Sequence, residues 1–149
     1  MYWKTYIKLE KKVSLFLKKR ATALLRINMG IVYIWYGILK IAGISPAEEL
    51  VFRATHWIGS HNFVVFLGFF ELLIGVCLAI KKFLRLGLIL LFLQFPGTFL
   101  PLFLNPEDCF TLIPFGLTLE GQYIFKNLIL IPAGLILISS LHNKKVMEN

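Results

Sequence analysis

The sequence predicts an all-α integral membrane four-helix bundle. A basic amphipathic segment precedes it, and a short interfacial helix lies between spans one and two. Three observations carry that reading. Hydrophobic residues make up 58% of the 149 and charged residues only 16%, where a soluble domain carries about a quarter charged. Four apolar runs are each long enough to cross a bilayer at about 1.5 Å per residue. The cations are also sorted by side. Lys4, Lys8, Lys11, Lys12, Lys18, Lys19, Arg20, Arg26, Lys81, Lys82, Arg85, Lys144 and Lys145 fall on one face of a four-span layout, leaving Lys40, Arg53 and Lys126 on the other. The positive-inside bias puts both termini in the cytoplasm. Topology thereby accounts for the net charge of +8, and nucleic acid is not expected as a partner.

Residues 1–20 interleave Trp3, Tyr6, Ile7, Val13, Phe16 and Leu17 with six lysines and Arg20. A helix there is basic on one side and apolar on the other, which suits an anionic leaflet or a docking partner. The plainer reading is a topogenic flank that fixes span one. The membrane domain then runs over 21–141, with spans at about 21–43, 63–80, 86–104 and 123–141, and 142–149 form a cytoplasmic tail. No small-residue cleavage site follows the first apolar run, so that run is expected to be a retained span.

Ser45-Pro46-Ala47-Glu48 reads as a capping box with proline at the first helical position. It predicts an outer amphipathic helix over 46–58, with Trp57 at the interface and Ser60-His61-Asn62 ending it. Lys81, Lys82 and Arg85 mark a tight turn between spans two and three. Pro96 and Pro101 should kink span three, and Asn105-Pro106 ends it. The stretch from Glu107 to Gln122 reads as an acidic, semi-apolar loop. Cys77 and Cys109 fall toward opposite membrane faces and form no CxxC pair, so no disulfide is expected.

Span one sets the pattern for the others. Arg26, Gly30, Tyr33, Gly37 and Lys40 recur at steps of four, three, four and three, on one helical face. In span two Gly68, Glu71 and Gly75 do the same, in span three Gln94 and Thr98, and in span four Tyr123, Lys126, Asn127 and Gly134. Such small-and-polar stripes face a bundle centre, where backbones approach and polar groups pair. Helical side chains lean toward the N-terminus. Arg26 is therefore expected to snorkel into cytoplasmic water, and Lys126 to lean outward. Lys40 leans down from the outer end of span one while Glu71 leans up in span two. An unpaired charge at that depth costs at least about 2.5–3.5 kcal/mol, so the two are expected to pair. The pair can be an ion pair locking two helices, part of a binding site for a polar headgroup or small anion, or part of a proton or ion path.

Other chemistries lack residues. His56, His61 and His142 lie outside the spans, no set has metal-ligand spacing, and no glycine-rich nucleotide fingerprint follows a strand. No intrinsic redox, metal or nucleophilic centre is legible, and any catalysis would need a bound cofactor or a partner.

The runs LRINMGIVYIWYGILKIAGISPAEELV, FFELLIGVCL, LQFPGTFLPLFL and LTLEGQYIFKNLILI resemble the DoxX-like membrane proteins, which are related to DoxD-type and methylamine-utilisation membrane subunits. The resemblance covers about residues 24–140. Its most specific pieces are Arg26, Trp35-x-Gly37-x-x-Lys40, Glu71, Glu120-Gly121-Gln122-Tyr123 and Lys126-Asn127. It implies a four-helix protein of a bacterial inner membrane and a link to a partner oxidoreductase subunit. The candidate polar site then comprises Lys40, Glu71, Glu120 and Lys126, with Tyr33, Gln94 and Tyr123 as hydrogen-bonding neighbours. Arg26, Trp35, Gly30, Gly37, Gly68 and Gly75 are structural. A bound quinone is the cofactor this reading suggests. The alternatives are an assembly protein whose buried pair only specifies packing, and a small-molecule transporter that needs homo-oligomerisation to make a pathway.

Overall fold

A computed structural model describes residues 2–46, 48–54 and 61–146. Four of its helical stretches are long and apolar enough to cross a membrane: Arg20–Ile41, Asn62–Ala79, Lys81–Leu104 and Leu119–Leu141. Helix α1 (Tyr2–Ile41) joins the basic segment to span one without a break over 40 residues. Nothing in residues 2–29 interrupts it, because neither glycine nor proline occurs there. It ends where Gly43 takes a left-handed φ of 67°, the conformation that glycine adopts at no steric cost.

Helix α2 covers Glu48–Ala54, and the backbone N–H of Glu48 donates to the Ser45 carbonyl at 3.1 Å. The expected Trp57 anchor and the rest of that helix to residue 58 lie outside the described residues. Helix α3 (His61–Ala79) is span two. A single 3₁₀ turn at Lys81–Phe83 reverses the chain into α4 (Leu84–Phe99), which contains Pro96, and α5 (Pro101–Leu104) completes span three.

The following connection is more ordered than a loop. Helix α6 (Pro106–Cys109) leads into a two-stranded antiparallel hairpin, β1 (Phe110–Leu112) and β2 (Gly116–Leu117). An all-α chain thus carries one small sheet. The run Phe110-Thr111-Leu112-Ile113 is β-branched and aromatic, and Pro114 with Gly116 bars a helix, so extended pairing is the available way to satisfy the backbone. Span four then starts earlier than the sequence suggests. It is α7 (Leu119–Phe125), a 3₁₀ stretch at Lys126–Ile129, and α8 (Leu130–Val146). Thr118 fixes that start by accepting the Gly121 N–H at 3.1 Å, a side-chain N-cap.

Helices α1 and α3 form the closest pair and run antiparallel. A Cβ added at Gly30 would lie 2.8 Å from the Gly75 carbonyl oxygen, and one at Gly37 2.6 Å from that of Gly68. Two glycine pairs, about two turns apart, therefore let the backbones touch. The rest of the bundle divides by depth. Toward the chain termini it is apolar, with Met29, Ile74, Leu78, Leu88, Leu91 and Leu137 at its centre. Toward the α2 and hairpin end it holds the buried charges.

Candidate functional site

Lys40 lies in the last turn of α1, where the carbonyl-rich helix end favours a cation. Its stem passes Gly68, which has no side chain to obstruct it: a Cβ there would lie 2.9 Å from the Lys40 Cβ. The ammonium meets the Glu71 carboxylate, Nζ to Oε2, at 2.5 Å. Lys40 is 4% and Glu71 8% exposed, so both charges are withdrawn from solvent and compensate each other.

From α4, the Gln94 amide nitrogen donates to the other Glu71 oxygen, Oε1, at 3.0 Å. That bond fixes which end of the amide is which, since the reverse orientation would set oxygen against carboxylate. The Gln94 Oε1 atom is consequently buried with no hydrogen-bond partner. The ammonium has three N–H groups and Glu71 takes one of them. The Lys40 ammonium and the Gln94 amide thus each hold one oxygen of the same carboxylate.

Tyrosines close the cluster. Tyr33 on α1 and Tyr123 on α7 both lie within electrostatic range of Glu71. Tyr36 packs edge-to-face on Tyr123, with centroids 5.9 Å apart and planes at 77°. The sequence reading missed Tyr36, although it precedes Lys40 by four residues and so shares its face.

The structure brings together Lys40, Glu71, Gln94, Tyr33 and Tyr123. Lys126 and Glu120 do not join them. Lys126 is exposed and reaches the cluster only from outside, its ammonium 4.7 Å above the Tyr123 ring. Glu120 is exposed in the first turn of α7, a position that complements the helix dipole and is set by the Thr118 cap. Trp35 is 64% exposed on the outside of the bundle.

Arg26 differs from expectation in a different way. Its guanidinium does not lean out to water but donates to the carbonyl oxygens of Ala79, at 2.5 Å, and Leu78, at 3.4 Å. The antiparallel pairing through Gly30 and Gly75 delivers the last carbonyls of α3 to this side chain, and those carbonyls have no partner within their own helix. Arg26 is therefore a cross-helix C-cap. Arg26→Met should lower the unfolding free energy in detergent by about 1.5–3 kcal/mol, the cost of a lost bond to a charged donor. Thermal melts followed by circular dichroism measure it.

Both cysteines are free and buried. Burial, helped by Asp108, Glu120 and Glu107, pushes the Cys109 thiol up, the direction that disfavours the thiolate. Among the described residues no three His, Cys, Asp or Glu side chains gather as metal donors. On the surface, Arg53 of α2 pairs with Asp108 of α6 at 3.0 Å and Glu49 at 2.5 Å. The Asp108 contact ties α2 to the hairpin end, but exposed pairs of this kind contribute at most about 1 kcal/mol.

No protein-family model matches the chain, and no curated protein or solved structure matches it.

Proposed function

We propose that this is a small DoxX-like subunit of a bacterial inner membrane, with both termini cytoplasmic, that holds a quinone headgroup or small anion for a partner oxidoreductase. The observation that carries the proposal is the buried, unsatisfied Gln94 Oε1, on an amide whose nitrogen is held by the same Glu71 carboxylate that pairs with Lys40. A buried acceptor without a donor costs about 1–3 kcal/mol, a cost that a bound hydroxyl or ordered water removes. Lys40 donates to a ligand oxygen, Glu71 holds the ammonium in place, and Gln94 accepts from a ligand hydroxyl. Tyr33, Tyr36 and Tyr123 supply flat apolar faces that end in polar groups.

The Lys40–Glu71 pair is self-contained at 2.5 Å, and this favours a second reading, in which the buried charges only specify how α1 packs on α3. Mass spectrometry separates the two. The gently purified protein is extracted into organic solvent and scanned for quinones and bound anions, beside the double variant Lys40→Met/Glu71→Leu. The binding reading expects a co-purifying molecule in the parent protein and its loss from the folded double variant. Equal content in both supports the packing reading.

A further inference from the structure

The connection between spans three and four leaves its apolar side chains uncovered. From Cys109 to Leu119 the sequence CFTLIPFGLTL contains no charged residue, whereas Glu107, Asp108 and Glu120 flank it closely. Leu112 is 71% exposed, Ile113 67%, Phe115 89% and Leu119 80%. This surface is held firmly in place. The Thr118 hydroxyl donates to the Asp108 carbonyl at 2.7 Å, and the Thr118 N–H donates to that of Cys109 at 3.0 Å. Cys109 is fully buried against Ile124, Phe99, Leu102 and Phe110.

We propose that the β1–β2 hairpin is a lipid wedge, its tip at Leu112–Phe115 seated in the headgroup–acyl boundary of the leaflet beside spans three and four. Three features select lipid as the occupant. The hairpin joins the ends of two candidate spans, and exposed Phe103, Leu104 and Phe125 continue the apolar surface from those spans toward the tip. The charges resume only at the feet of the hairpin, with Glu107 and Asp108 before it and Glu120 after it. A two-stranded sheet also has unpaired edges that the hydrocarbon interior excludes, whereas the boundary is wet enough to satisfy them. Seating apolar side chains about 5–10 Å into that boundary is the ordinary depth of interfacial elements. The wedge stands apart from how the polar cluster is used.

Fluorescence depth measurement tests it. F115W is made in the background Trp3→Phe/Trp35→Phe/Trp57→Phe and reconstituted at low density into phosphatidylcholine vesicles. Bromine is placed at shallow or deep acyl positions, and iodide is present on both sides. The proposal expects blue-shifted emission, strongest quenching by shallow bromine, and iodide quenching several-fold weaker than for a free indole. Iodide quenching as strong as for free indole, with no bromine effect, means a hairpin in water and overturns it. Blue-shifted emission quenched by neither agent means that protein, a second copy included, covers the tip, and also overturns it. Should F115W fail to fold, L112W in the same background reads the same hairpin.

Discussion

Glu71→Leu alone should be among the most damaging substitutions in the chain. It leaves the Lys40 ammonium buried, with its one observed charge partner gone, and removes the acceptor that holds Gln94. Breaking a buried pair from one side costs about 3–5 kcal/mol, and an unpaired cation at membrane depth at least about 2.5–3.5 kcal/mol on insertion. Lower expression and a melting temperature many degrees below the parent are the expected outcome. Lys40→Met should be similarly harmful, since it strands the carboxylate. Combining the two should restore most of the loss, because a pair replaced by apolar residues of similar volume is often neutral or stabilising. A double variant as unstable as the sum of the singles would show that the two charges act separately.

Gly37→Val should come next in size, by a steric route. Its Cβ would meet backbone, 2.6 Å from the Gly68 carbonyl oxygen and 2.7 Å from the Leu72 nitrogen. Backbone cannot swing away as a side-chain tip can, so α1 and α3 must separate. Overpacking costs about 1–3 kcal/mol or more, and the separation also strains the Lys40–Glu71 contact one turn further on. The expected result is loss of at least about 3 kcal/mol by detergent-unfolding measurement. Gly97→Ala is the control: nothing lies within 4 Å of its Cβ position. It should leave stability unchanged or raise it by up to about 1 kcal/mol through helix propensity.

These two predictions rest on the part of the molecule that was most legible in the sequence. The stripe Gly30, Tyr33, Gly37, Lys40 and the matching Gly68, Glu71, Gly75 repeat at helical spacing. Small residues and a charge pair of opposite lean therefore announce both the interface and its polar end. Gln94 was legible for the same reason, as a polar side chain on an otherwise apolar helix. Less was readable where tertiary placement decides. Arg26 is expected in water because its side chain leans toward the cytoplasmic end of span one; the carbonyls it binds belong to α3 and arrive only through packing. Glu120 joins Lys40 in the sequence reading after the resemblance, whose specific pieces include Glu120-Gly121-Gln122-Tyr123. The Thr118 cap and the earlier start of α7 set it outside the cluster instead. The hairpin was hidden because strands of three and two residues are too short to show a period of two, and because its apolar residues resemble the spans on either side.

The most direct test of the polar cluster as a ligand site is thermal stabilisation by a short-chain quinone, and in parallel by an inorganic anion, with the parent protein and the folded Lys40→Met/Glu71→Leu variant in the same detergent. A ligand of the native state at 100 times its Kd adds about 2.7 kcal/mol. The account predicts that the parent melting temperature rises with one of these ligands while that of the double variant stays fixed. Equal shifts in the two proteins, or no shift with either ligand, would contradict it.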